Sequence, residues 1–294
     1  MAFPPPKPWP TGAAEQLEPL VRRVLAPNAS PFTFTGTQTY IVGLGEGCAV
    51  IDPGPDDAAH LDALEAAIGG EDVRAIMCTH THRDHSPGSR PLARRTGAPI
   101  VGCAPPAFDP ASPGTANRAD EGFDPDYEAD RVLADGEAMT GPGWTLRAVA
   151  TPGHVSNHLC FALEETGALF TGDHVMGWST SVVVPPDGDM GDYMKSLELL
   201  QHRDDRIYYP AHGQAVEKPR QLVRGMIGHR KQRENQILRL LGESAQAIEA
   251  LVPQMYRGLD PRLVKAAGLS VLAHCIDLER RGLVARSGEI WQTN

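Results

Sequence analysis

At 294 residues, with 41% hydrophobic and 22% charged residues, the chain is long enough to bury a full apolar core, either as one large domain or as a catalytic domain with a small appendage. This composition excludes wholesale disorder. No apolar run approaches the roughly 20 residues of a spanning helix, and the N-terminal MAFPPPKPWP lacks the apolar core of a signal peptide. The cytoplasm is therefore the expected compartment, with no membrane partner. A net charge of −10 argues against a surface coated for nucleic acid, yet the charge is uneven. Residues 1–217 hold 14 Lys/Arg against 30 Asp/Glu, whereas residues 218–294 hold 13 against 7. The five cysteines form no C-x-x-C pair and read as reduced, mostly buried thiols.

In chain order, a proline-rich start precedes TYIVGLGEGCAVIDPGP, two short strands joined by a glycine-rich turn. Residues 57–68 place Leu61, Leu64 and Ile68 on one helical face, with Asp56 as the expected cap and Gly69–Gly70 as the stop. VRAIMC then reads as a doubly buried strand, which makes an α/β rhythm. Residues 104–130, rich in Pro, Asp and Gly, read as an acidic surface loop or lid. TLRAVA, LCFAL, ALF and RIYY are strands bounded by turn residues, and GDYMKSLELL has helical spacing at Tyr193, Leu197 and Leu200. From Pro219 the pattern is helical until LVARSGEIWQ, a hairpin around Ser287–Gly288. Domains at 1–217 and 218–294 follow, the second a linker helix with a small winged-helix domain.

Four of these strands end in turns bearing metal-ligating side chains: AIMC runs into THTHRDH, LRAVA into TPGH, ALF into TGD and RIYY into PAHG. Loops at one end of an α/β layer gather in one place, which offers His80, His82, Asp84, His85, His154, Asp173 and His212. The expected assignment puts His80, His82 and His154 on one divalent metal and Asp84, His85 and His212 on a second, with Asp173 bridging. A nitrogen and oxygen set without thiolate suits zinc first, with manganese or iron also compatible. Two cations on one water bring its pKa toward roughly 7, so a bridging hydroxide is the expected nucleophile. Asp84 would also orient that water. His158 is either a catalytic residue contacting substrate or a hydrogen-bonded strand residue, and Trp178 either lines the substrate pocket or simply packs. Lone histidines such as His60, His202 and His274 read as ordinary surface or core residues.

These turns resemble those of the metallo-β-lactamase fold superfamily, whose H-x-H-x-D-H motif is matched at His80, His82, Asp84 and His85. The resemblance implies an α/β fold, an αββα four-layer sandwich over roughly residues 15–217, with a binuclear centre at one edge. A narrower resemblance, through IDPGP at 51–55, residues 172–200 and PAHGQAV with HRKQRENQIL, points to the lactamase-β-like protein 2 group with its C-terminal winged helix. It implies that Asp52 supports the ligands from behind.

A metal-dependent hydrolase is thus expected, acting on single-stranded RNA or on a small acyl or thioester compound. A glyoxalase-II-like thioester hydrolase is one alternative, and a metal-sensing DNA-binding regulator is an alternative of another class. Arg220, Arg224, Arg230, Lys231 and Arg233 are the candidates for meeting a phosphate backbone, and the winged helix is a candidate homodimer module. The acidic body opposes a long polyanion.

Overall fold

A computed structural model describes residues 9–105 and 122–294. Strand formation begins earlier than the sequence pattern suggests: Ala14–Glu18 (β1) and Val21–Leu25 (β2) pair antiparallel. The run VRRVL hides its strand character because two arginines interrupt it. Arg22 is nevertheless buried, since its guanidinium meets Glu71 at 2.7 Å and donates to the carbonyls of Ala67 and Gly43 at 2.8 and 3.1 Å. A paired and hydrogen-bonded charge tolerates that burial.

The first sheet continues through Gln38–Val42 (β3), Cys48–Ile51 (β4), Val73–Cys78 (β5), Ile100–Gly102 (β6) and Arg131–Val132 (β7), giving seven strands in sequence order. Helix α1 spans Ala58–Ile68 and α2 spans Ser89–Thr96. The cap of α1 is Asp57 rather than Asp56: its extended backbone lets the carboxylate accept from the His60 N–H at 2.8 Å, the geometry an N-cap requires.

The second sheet is an antiparallel meander of Ala138–Gly141 (β8), Trp144–Ala150 (β9), Leu159–Leu163 (β10) and Ala168–Gly172 (β11), extended by Ile207–Pro210 (β12) parallel to β11. Strand alternation divides the core in two. Tyr40, Val42, Ala75 and Met77 pack with Leu146, Phe161 and Phe170 of the second sheet. Ile41 and Ile76 point the other way, into a cluster with Leu61, Leu64 and Ile68 of α1 and Leu92 of α2.

The chain divides into two compact units, and the division is not a single cut in sequence. The first gathers the chain to Thr151, Asn157–Thr180 and Asp204–Pro219, and the second gathers Pro152–Ser156, Ser181–Arg203 and Arg220–Asn294. Within the second unit lie α3 (Met190–Gln201), the long α4 (Pro219–Glu243), α5 (Ile248–Met255) and α6 (Val264–Arg280). A short strand, Gln246–Ala247 (β13), joins the predicted C-terminal hairpin of Val284–Ser287 (β14) and Ile290–Thr293 (β15) to make a three-stranded sheet. Ile237, Leu241, Leu251, Val271, Leu278 and Trp291 share its core. No helix among the described residues is long and apolar enough to cross a membrane.

The acidic segment 104–130, expected as a surface loop or lid, is described only at its two ends. Residues 106–121 lie outside the described residues, but Phe123, Asp124 and Tyr127 are buried. Asp124 N–H donates to Thr81 O at 2.8 Å and Ser86 Oγ donates to its carboxylate at 2.8 Å, while Tyr127 Oη reaches Cys103 O at 3.1 Å. Polar residues here are consumed in holding the THTHRDH loop.

Candidate metal centre

The THTHRDH loop leaves β5 with its first residue already fixed. Asp52, just past β4, holds a left-handed backbone (φ 49°) that is uncommon for a residue with a side chain. Its carboxylate accepts the Thr79 N–H and hydroxyl at 2.8 Å each and faces His85 Nδ1 at 3.0 Å. With its hydrogen given to Asp52, Thr79 Oγ1 can accept from His80 Nδ1 at 3.0 Å. Both rings are thereby set in the tautomer that leaves Nε2 as the lone-pair nitrogen.

His212 follows the same rule from the second sheet. Its turn is tied to β3, where Gln38 Nε2 donates to the carbonyls of Pro210 and Gly213 at 3.0 and 2.6 Å and Tyr40 Oη donates to Pro210 O at 2.7 Å. His212 Nδ1 lies 3.2 Å from Gly36 O, which again directs Nε2 inward.

Two groups result. Asp84, His85 and His212 offer ligand atoms within 4.8 Å of one another, and so do His80, His82 and Asp173. Asp173 touches both, because its Oδ1 also lies 3.5 Å from His85 Nε2 and 3.2 Å from His212 Nε2. His80 Nε2 and His82 Nδ1 are 2.9 Å apart. Buried His85 Nε2 makes no hydrogen bond and faces carboxylate oxygens of Asp84 and Asp173. Lone pairs of imidazole and carboxylate turned toward one another repel unless a proton or a metal cation lies between them, and this nitrogen and oxygen donor set fits divalent metal. Burial alone would raise Asp84, but His85 and His212 outweigh it and hold the carboxyl well below its ordinary range. Burial likewise opposes charge on His85, yet Asp84, Asp173 and Asp52 push it well above the usual imidazole value.

His154 lies in Pro152–Ser156, which clusters with the second unit. Its ring is buried, with Nδ1 2.6 Å from Val182 O and 3.3 Å from Ser181 Oγ. His158 lies among protein partners. It is 1% exposed, its Nε2 accepts the Asp173 N–H at 3.2 Å, and its Nδ1 meets Thr151 Oγ1 at 2.9 Å. Both nitrogens thus meet protein groups, as in the hydrogen-bonded of the two readings. Trp178 stacks on Phe34 with ring centroids 4.9 Å apart.

Sequence reading missed Thr37, whose hydroxyl reaches Asp84 Oδ2 at 3.3 Å, and Asn157, whose amide donates to Thr81 Oγ1 and Ala104 O at 3.1 and 2.7 Å. The run TPGHVSNH placed Asn157 beside His158, but nothing local marked its partners.

Residues 32–212 match the Metallo-beta-lactamase superfamily and residues 247–291 match the Beta-lactamase associated winged helix domain. The chain belongs to the metallo-beta-lactamase superfamily, and the sandwich fold, the C-terminal winged helix and the hydrolase class expected from its motifs hold. It is 37% identical over 228 residues to atrochrysone carboxyl ACP thioesterase AgnL7 of Paecilomyces divaricatus, covering 76% of this chain and 65% of that protein. It is 30% identical over 269 residues to lactamase-like protein ptaB of Pestalotiopsis fici, covering 88% of this chain and 79% of that protein. Among solved structures, a metallo-beta-lactamase family protein of Thermus thermophilus shares the fold with a TM-score of 0.78 at 24% identity, covering 95% of this chain and 100% of that chain.

Proposed function

We propose that the protein is a binuclear metal-dependent thioesterase. The observation that carries the reading is Asp173 set between the two ligand groups, its Oδ1 within 3.5 Å of His85 Nε2 and 3.2 Å of His212 Nε2. His80, His82 and His154 would hold one divalent cation, Asp84, His85 and His212 the other, and Asp173 both. Zinc is the expected metal. When bound, the pair supplies Lewis acidity and lowers the pKa of water.

The chain's own residues do the rest. Asp84 is a ligand and the acceptor that orients the attacking water, with Thr37 fixing its Oδ2. Asp52 and His158 hold His85 and Asp173 in register. Water adds to the acyl carbon, the carbon–sulfur bond breaks, and a carboxylic acid and a thiol leave.

A thioester is favoured over RNA on two grounds. One is the likeness to a relative described as an acyl carrier protein thioesterase. The other is that several of the basic C-terminal residues have intramolecular partners: Arg220 donates to Arg203 O, Arg233 to Met255 O, Arg280 pairs with Asp189, and Arg281 with Glu234. Cations so engaged offer little to a phosphate backbone, which also counts against the DNA-binding regulator.

The test is a panel of an acyl-CoA, an S-acyl-glutathione, single-stranded RNA and a chromogenic lactam, with thiol release and RNA length as readouts. Metal-dependent thiol release from the acyl-CoA is expected. RNA cleavage without thiol release would overturn the reading.

A further inference from the structure

We propose that Arg230 is a positioning residue for the metal centre, holding His154 in the ring orientation that presents Nε2; this rests on the reading of His154 as a ligand. Arg230 lies on α4 and is only 4% exposed. Among the described residues no carboxylate pairs with it. Its Nη2 donates to Ser181 O, its Nη1 to Ser270 Oγ at 3.4 Å, its guanidinium carbon stands 5.1 Å from the Tyr193 ring centroid, and its Nε has no partner. A buried cation without a counter-ion is a poor device for stability, where an apolar side chain of similar volume serves better. Its purpose is sought in what it grips.

The gripped residue is one side of a clamp on His154. Val182 O, one residue beyond the carbonyl that Arg230 holds, lies 2.6 Å from His154 Nδ1, and Ser181 Oγ lies 3.3 Å from the same nitrogen. An Nδ1–H donated to Val182 O fixes the tautomer and leaves the lone pair on Nε2. The rest of the turn is already seated on α3. Asp189 N–H donates to Gly153 O at 2.9 Å, Ser196 Oγ donates to Pro152 O at 2.8 Å, and a Cβ on Gly153 would fall 2.3 Å from Tyr193 Cα. The backbone of the turn is thus set by α3, and the rotation of the His154 ring by the Ser181–Val182 segment. Arg230 reaches both, through Ser181 O and through the Tyr193 ring face.

The test measures zinc affinity by competition with a chromophoric chelator, in the full chain and in Arg230→Met, Arg230→Lys and His154→Ala. In Arg230→Met one of two zinc equivalents should weaken by about 10–100-fold, the range for removing support behind a ligand, and the other should stay unchanged. His154→Ala should weaken the same equivalent, and the double variant should add nothing. Arg230→Lys keeps the cation and stem but loses the planar fork, so it should weaken that equivalent less than Arg230→Met. If both Arg230 variants bind zinc as the parent does while His154→Ala loses one equivalent, Arg230 is not a positioning residue and the ligand assignment stands. If His154→Ala keeps both equivalents, the ligand assignment fails and takes the proposal with it. Histidine 15N shifts of the chelator-treated parent supply a readout that needs no variant: His154 should carry its proton on Nδ1, and an Nε2–H ring would overturn the clamp.

Discussion

His85 Nδ1 and Asp52 Oδ2 stand 3.0 Å apart, and the same carboxylate takes the Thr79 N–H and hydroxyl. One buried aspartate therefore fixes both the start of the ligand loop and the rotation of its last histidine. Asp52→Ala should weaken metal held by Asp84, His85 and His212 by about 10–100-fold, measured by chelator competition. Unchanged affinity would remove Asp52 from the centre.

Asp84 has two roles in the proposed mechanism, and its replacement separates folding from chemistry. Asp84→Asn should keep the far-ultraviolet circular dichroism of the parent while kcat/KM for a thioester falls by at least about 100-fold. Thr37→Val, which loses the 3.3 Å contact to Asp84 Oδ2 and the 2.9 Å bond accepted from Asn28 Nδ2, should cost about tenfold, the low end for one hydrogen bond to a charged group. A larger loss for Thr37→Val than for Asp84→Asn would contradict this order.

Gly172 ends β11 with φ 48°, and a Cβ there would lie 2.7 Å from both His158 Nε2 and Thr79 Oγ1. Those atoms belong to the supports of Asp173 and His80. Gly172→Ala should destabilise the protein by about 2–3 kcal/mol through clash and backbone strain, seen in urea unfolding of the chelator-treated protein. It should also weaken metal binding. Parent-like values in both measurements would show that the neighbours give way.

The candidate ligand turns were readable because each is a local signal, a short run of His, Asp and Gly at the end of an apolar strand. Helix α2 was not, since Arg90, Arg94 and Arg95 obscure its single buried apolar contact at Leu92. The β1–β2 hairpin was masked in the same way by Arg22 and Arg23. Thr37 and Gln38 escaped for a different reason. Their partners lie 47 and 172 positions away at Asp84 and Pro210, and no periodicity encodes such a pairing. The partner of His158 was equally hidden, because it is a backbone N–H 15 positions away at Asp173.

Two buried histidines outside the centre set an acid limit. Burial lowers His60 to about 4 and His274 to about 3, the latter with help from Arg230. In both, the unfolded chain takes up a proton that the folded one refuses, so their stability contribution is complete above the ordinary value of about 6.5 and is lost as pH falls toward 4 and 3. Unfolding free energy should drop by about 2 kcal/mol per histidine between pH 7 and pH 5. His274→Leu should flatten part of that slope, and an identical slope in the variant would assign the acid loss elsewhere.

The proposed ligands within the first unit come from both sheets: His80, His82, Asp84 and His85 follow β5 of one, while Asp173 and His212 follow β11 and β12 of the other. A cation held by such a set ties the two halves of the sandwich together at one edge, so every tenfold of metal above its dissociation constant adds about 1.4 kcal/mol to their union. The proposed centre would then be a fastener as well as a reagent. Metal starvation should loosen the sandwich along that edge, exposing the amides of the β5, β11 and β12 ends to exchange before those of the buried strand middles.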